Sequence, residues 1–440
     1  MLADVVKRLR HDRRFKWEMI VLAGMYIGYA ALILCRSTVV NAGPSILVDP
    51  SLGLTKTAWG DILGWGTAGL LTGKLVNGVL ADRFGGRRIF IWSLALCMLA
   101  TGIFGTMSGV GLFSIAYFIA LFAKSAGWPA MANLIGEWYP ANWRGRIWGI
   151  LSSSSRLSSV FSTLVIGSLF LVMSWQSVIG IAVALAGGVL IFLFLMLKQS
   201  PTDVGLENRP TSDGDDPAKP HHLDQASLGE ALLDFAKSPR VWLICASIMS
   251  LAVLMEFQSF IGIYLQETFR LQPGIAVMTS SAFPIGCLIS VLLGGFAFDL
   301  LNKKKRIFIL GGLMVMAIGC IVMLLVLPSL NLTENISLAV SLLSILVFGI
   351  AIAPCYYIPM SVFSIDYGGK HCGVLVSIID AMGYLAAMTF DFMGGRIADQ
   401  ADGWHQFLIV LLYVAVIGFV VLSMFLYLEY RTQKKTRPDR

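Results

Sequence analysis

The chain has 440 residues, of which 57% are hydrophobic and only 13% charged, and its formal net charge is +7. A soluble domain carries about a quarter charged residues, so an ordinary water-soluble enzyme is excluded. The basic excess is that expected of loops flanking a membrane, not of a nucleic-acid surface. Continuous apolar runs of about 20 residues are long enough to cross a bilayer as helices. They lack the short alternation of a barrel, so the fold class is an all-α polytopic membrane protein.

In chain order, a basic segment over 1–16 reads as a retained cytoplasmic tail, because the apolar stretch behind it is too long for a cleaved signal. Six spans are predicted at 17–47, 57–81, 89–108, 110–136, 145–172 and 176–197. A polar stretch over 198–239, rich in Pro, Asp and Ser and holding His221 and His222, reads as a cytoplasmic linker. Six further spans follow at 240–267, 273–298, 307–328, 336–364, 372–398 and 404–428, with a tail over 429–440. The domain reading is therefore two pseudo-symmetric six-helix bundles, 17–197 and 240–428. With both termini inside, nearly all loop Lys and Arg fall on the inner side, and Lys56 and Arg270 stand outside. The seven cysteines are scattered without metal or disulfide spacing, and there is no phosphate-binding loop of the Walker type. No cofactor, metal or catalytic residue is expected.

Two kinds of residue interrupt this pattern. The first lies in the turn after the second span: Gly78, Asp82, Arg83, Gly85, Arg87 and Arg88. A carboxylate at a helix end beside a basic turn can form ion pairs that break and remake as helical bundles rock. Asp299 before the Lys303–Arg306 cluster echoes it in the second half, and Glu137, Arg144 and Asp366 occupy the loops after the fourth and tenth spans. All are candidate gate residues. The second kind is charge at mid-span, which costs at least about 2.5 kcal/mol and normally faces a bundle interior or a water path. Arg36, Lys74, Lys124 and Arg156 come from four different spans at similar depth. Like charges at one level need acids or an anionic ligand between them, and Arg suits planar oxyanions where Lys acts as a point charge. The second half supplies Glu256, Asp380 and Asp391. Cations in one half and acids in the other suit a zwitterion, or an anion carried with protons. Tyr29, Trp128 and Tyr357 are candidate cavity-lining aromatics.

The turn over Gly73–Arg88, GKLVNGVLADRFGGRR, resembles the loop between the second and third helices of the major facilitator superfamily of transporters. GYAALILCR at Gly28–Arg36, Lys74 eight residues before Asp82, Gly127-Trp128-Pro129, SPTDVGL at Ser200–Leu206, FSIDYGGKHCG from Phe363 and GYLA from Gly383 are similar to the organophosphate:phosphate antiporters, the glycerol-3-phosphate and hexose-phosphate transporters. The resemblance implies the major facilitator fold, alternating access, a location in the bacterial inner membrane and a monomer. It places a phosphate-binding arginine at Arg36 with Lys74 beside it. The chain departs from the branch in two places. Ser155 stands at its helix-five histidine position, next to Arg156, and Leu254 stands where the branch has a second arginine, with Glu256 nearby. The expected activity is secondary transport of a small organic anion (a phosphorylated metabolite or carboxylate) or a zwitterion such as an amino acid or peptide, by proton coupling or by exchange for phosphate. The alternative is a membrane sensor of a phosphorylated metabolite that signals to a partner kinase.

Overall fold

The structure, a computed structural model, describes residues 12–207, 223, 227–299 and 303–436. His221 and His222 lie outside the described residues. Among the described residues there is no strand, and twelve long helical segments follow one another. They are α1 (Arg13–Leu47), α2 (Lys56–Phe84), α3 (Gly86–Phe104), α4 (Val110–Trp138), α5 (Ala141–Phe161, running on to Leu169) and α6 (Trp175–Met196). After the linker come α7 (Pro239–Phe269), α8 (Pro273–Asp299), α9 (Lys303–Val326), α10 (Glu334–Gly368), α11 (Cys372–Ala398) and α12 (Gly403–Thr436). Even the shortest, α3 with 19 residues, reaches about 28 Å at 1.5 Å per residue, close to the thickness of a hydrocarbon core.

Ten helices among the described residues are long and apolar enough to cross a membrane on those grounds alone. The two that fall short are α2 and α5. Their interruptions are Asp61 and Lys74 in α2, and Arg156 with the Ser152–Ser155 run in α5. Two of these residues, Lys74 and Arg156, are also candidate site residues.

Several helices are interrupted or carry internal prolines. Pro129 has no N–H for the Ser125 carbonyl and its ring clashes there, and α4 is interrupted at Ser125–Ala126. α10 runs through Pro354 and Pro359. α7 is interrupted at Phe257, directly after Glu256. α5 passes through a π-helical turn at Ser162–Ile166, where Asn41 of α1 donates to Ser162 Oγ at 3.2 Å.

The chain forms two compact units, residues 1–46 with 65–216, and residues 47–64 with 217–440. In the first, a buried core joins α1, α3, α4, α5 and α6 through Met25, Leu32, Phe90, Leu94, Met131, Leu151 and Leu193. α5 is held along α1 by serine hydroxyls: Ser154 donates to the Tyr26 carbonyl at 2.8 Å and Ser158 to the Ala30 carbonyl at 2.7 Å. In the second unit, Phe257, Phe260, Phe348, Phe390 and Phe407 pack ring against ring.

The linker is more structured than its composition predicts. Its first residues dock on the first unit, where Trp138 Nε1 donates to the carbonyls of Lys198 and Gln199 at 3.1 Å. Further on, Leu228–Lys237 forms a helix with a reciprocal cap between Ser227 and Glu230. Its Phe235 is buried near Tyr367 of the second unit, and Tyr367 donates to Asp234 Oδ2 at 2.9 Å.

Candidate functional site

The first unit brings three of the four predicted cations to one level. Lys124 is only 7% exposed, at the last turn of α4 before the Ser125 break. It lies within electrostatic range of Cys97, whose thiol pairs with that of Cys35, the neighbour of Arg36. α2 reaches the same level through a close backbone approach. A Cβ at Gly73 would stand 2.2 Å from Ser125 Oγ, so Lys74 and Lys124 flank one contact. Asn77 locks it, donating to Ser125 Oγ at 2.7 Å and to the Phe122 carbonyl at 2.8 Å. Arg36 and Lys74 are half-buried.

Arg156 sits elsewhere along the axis. The contacts of Ser154 with Tyr26 and of Ser158 with Ala30 place it opposite residue 28 of α1, about 12 Å from the level of Arg36. Its Nη1 donates to its own helix, at 2.8 Å to the Ser152 carbonyl and 3.0 Å to Ser155 Oγ. At that level stand two predicted aromatics. Trp128 meets Tyr29 edge-on at 5.3 Å and stacks on Trp148 at 4.8 Å. Tyr29 is 4% exposed and belongs to the core of the unit.

The acids of the second unit divide. Asp380 of α11 is buried and Glu256 of α7 half-buried. Both lie within electrostatic range of Tyr356, as do Tyr357 and Tyr384. Asp391 is fully buried and stands eleven residues further along α11. Its backbone carbonyl lies 2.6 Å from where a Cβ on Gly60 would be, so it belongs to the crossing of α2 with α11. Leu254, at the position the branch gives to an arginine, has no exposed surface at all.

That crossing was the part sequence reasoning missed. Gly60 and Gly395 let two backbones touch: a Cβ on either would come within 2.8 Å of the other's Cα. Polar pairs surround the contact. Arg396 Nη2 meets Asp61 Oδ1 at 2.9 Å, and Lys56 Nζ meets Glu267 at 2.8 Å. Trp404 Nε1 donates to Glu267 at 2.7 Å, and Thr57 donates through Oγ1 to Asp399 at 2.7 Å. Burial pushes the Asp399 carboxyl up, but the Thr57 hydrogen bonds and the Lys56 charge outweigh it and hold it below its usual value. The available signals were the Gly60/Gly64 spacing, Gly394-Gly395 with Asp399, and the isolated Lys56.

At the opposite end of α2, Gly85 adopts φ +84°, a conformation glycine takes without strain, and turns the chain into α3. Arg87 does not turn toward Asp82. Its backbone N–H donates to Gln199 Oε1 at 2.8 Å and its guanidinium to the carbonyls of Phe194 and Leu197. Gln199 also donates to Asn133, which accepts from the Gly86 N–H at 2.9 Å. The SPTDVGL segment therefore follows a latch that fixes this turn to α4 and α6. Asp82, Arg83 and Arg88 are exposed, Arg83 lying over the Phe84 ring, and Gly78 is half-buried. Glu137 is exposed and Arg144 donates to the carbonyls of Gly136 and Tyr139. The side chains of Asp299 and Asp366 lie outside the described residues.

Residues 25–390 match the model of the Major Facilitator Superfamily. A probable hexose phosphate transport protein of Chlamydia trachomatis is 26% identical over 92% of this chain and 90% of its own length. The membrane sensor protein UhpC of Escherichia coli is 24% identical over 67% of this chain and 68% of its own. Among solved structures, a bacterial homologue of the human lysosomal transporter Spinster, inward-facing and unoccupied, superposes with a TM-score of 0.73 at 14% identity, covering 93% of this chain and 97% of that one; at that identity the likeness shows the fold. Mid-membrane charge on helices of this number and order, with that match over most of the sequence, identifies the chain as a member of the Major Facilitator Superfamily.

Proposed function

We propose that this transporter carries a small organic anion, a phosphorylated metabolite or a carboxylate, selected by the cations of its first unit. The observation that carries the reading is Lys124. A lysine 7% exposed inside a membrane helix, with Arg36 and Lys74 at its level, is a costly arrangement that an oxyanion offsets by charge-assisted hydrogen bonds. The hexose phosphate named for the chlamydial relative agrees with it. Arg36 and Lys74 bind the anion, Lys124 adds charge behind them, and Arg156, about 12 Å along the axis, lines the approach with Trp128.

Both termini face the cytoplasm in this reading, so the Gly85 turn lies inside and the Gly60–Gly395 crossing outside. Alternating access then works these two ends in opposition, with Gly78, Asp82 and the Arg83–Arg88 turn on the inner side.

Uptake of labelled glucose 6-phosphate into liposomes carrying the full chain tests the proposal. The expected result is saturable uptake or counterflow that Arg36→Ala removes. Uptake indifferent to Arg36 would overturn it. The similarity to UhpC supports a second reading as a sensor, which predicts binding of the same anion without translocation.

A further inference from the structure

The linker helix Leu228–Lys237 carries more apolar surface than the second unit covers. At 3.6 residues per turn its side chains fall into three arcs. Ala231 and Phe235 form one arc and are buried, with the Phe235 ring 6.1 Å from that of Tyr367 in α10. Glu230, Asp234 and Lys237 form the polar arc. Leu228, Leu232 and Leu233 form the third, each at least 41% exposed. The polar arc is tied down as well. Tyr367 donates to Asp234 Oδ2 at 2.9 Å. The Arg240 guanidinium, 3.3 Å from Glu429, lies over the Tyr367 ring at 4.7 Å. These contacts fix the rotation of the helix and leave its leucines uncovered.

The position of the helix identifies what covers them. Ser238 is extended, with φ −80° and ψ 116°, as expected of a residue before proline, and Pro239 begins α7. The linker helix and α7 are therefore separate rods joined by one residue. From Pro239 to Phe269, α7 has 31 residues. At 1.5 Å per residue this is about 46 Å, enough for a bilayer with its headgroups, about 40–45 Å. The first turn of α7 thus lies at headgroup depth. Trp242 in that turn is 56% exposed, and its Nε1 donates to the Ala236 carbonyl at 2.8 Å. A bare indole ring with a satisfied N–H suits the membrane interface. That ring stands beside the last turn of the linker helix, so the exposed leucines continue the apolar surface that α7 presents to lipid.

We propose that the linker helix lies in the surface of the bilayer and tethers the Tyr367 end of α10 to it. Leu228, Leu232, Leu233 and the Trp242 ring are set into the boundary between headgroups and acyl chains. The attraction is apolar. Two carboxylates against one lysine give this helix no basic face for anionic headgroups.

The test places nitroxide labels on the full chain in phosphatidylcholine nanodiscs. Leu232→Cys and Leu233→Cys report the apolar arc, and Glu230→Cys and Lys237→Cys the polar one. The background is Cys372→Ser, the other six cysteines being buried. Power saturation compares collisions with oxygen and with a water-soluble nickel chelate. Labels at 232 and 233 are expected to meet oxygen several-fold more, and the chelate several-fold less, than labels at 230 and 237. Their expected depth is about 5–10 Å, unchanged when phosphatidylglycerol is added. On the chain without substitutions, lipids with a photoreactive group near the start of the acyl chain should crosslink within residues 228–242, a result that no label can disturb. Equal chelate access at all four positions would overturn the proposal by placing the helix in water. Low access of both reagents at 232 and 233 would overturn it by marking a protein cover. Insertion that needs phosphatidylglycerol, or a lack of crosslinks in that stretch, would overturn it as well.

Discussion

The two units build similar helical frames and fill them with opposite chemistry. In the first, Arg36, Lys74 and Lys124 stand at one level, and the contacts that set this level are neutral: Gly73 against Ser125, Asn77 to Ser125, serine hydroxyls to α1 carbonyls. In the second, the branch's arginine position is a fully buried leucine, and Glu256 and Asp380 lie within electrostatic range of Tyr356. The first unit's contacts that join these helices are made by small residues and hydroxyls.

The largest effect that would test this contrast is on anion binding. If Arg36 is the anion's charged donor, as proposed, Arg36→Ala should weaken glucose 6-phosphate binding by about a hundredfold, and Arg36→Lys should recover little of it. Lys124→Met should weaken the same anion by about tenfold, given the proposed role of Lys124 as charge behind the first contacts. Calorimetry on the purified variants measures both, and an unchanged affinity in either would break the assignment for that residue.

A second prediction concerns the Gly60–Gly395 crossing. A side chain at either position meets backbone below 3.0 Å, a distance that neighbouring backbone cannot relieve by rotation. Gly395→Val should therefore prevent the close approach of α2 and α11 and cut transport by roughly tenfold or more, while spectroscopic anion binding is retained. A thiol placed at Ala58 and probed with a membrane-impermeant maleimide should become more reactive in this variant. Unaltered labelling and transport would show that the crossing is not a working contact.

Smaller effects are expected of the polar pairs around it. Arg396 and Asp61 are 52% and 29% exposed, so their attraction is screened. Arg396→Gln should change transport by no more than a few-fold, with Asp61→Asn adding little on top of it. Asp399 gives the smallest signal. Its carboxyl is held below its usual value, so the stabilisation is complete above the unfolded-state value, about 3.9, and is lost as pH falls through the lower folded value. Thermal stability of the wild type should thus show no change traceable to Asp399 between pH 8 and pH 5. If Asp399→Asn erased a transition in that range, the assignment would be wrong.

Much of this was legible in the sequence, for reasons that particular residues make clear. Apolar runs pointed to twelve helices, because a membrane span has almost no alternative, and these included the two more polar spans, α2 and α5. Arg36, Lys74 and Lys124 stood out because charge at mid-span is costly. What one sequence does not carry is register between helices. The Gly60–Gly395 contact needs residues 335 positions apart to meet, and Asp391 reads as a partner of Asp380 until the crossing places it with Gly60. Arg87 shows the same limit on a shorter scale: its spacing from Asp82 invites a pair, yet Gln199 and the end of α6 take it. The helix at Leu228–Lys237 was hidden by the composition around it, although the Ser227–Glu230 cap was there to be seen.

The most direct test of the central claim is the affinity of the full chain for glucose 6-phosphate compared with that of Arg36→Ala, Lys74→Ala and Glu256→Gln under identical conditions. The account predicts a large loss for the two first-unit variants and little change for Glu256→Gln. Equal losses in all three, or none in Arg36→Ala and Lys74→Ala, would contradict it.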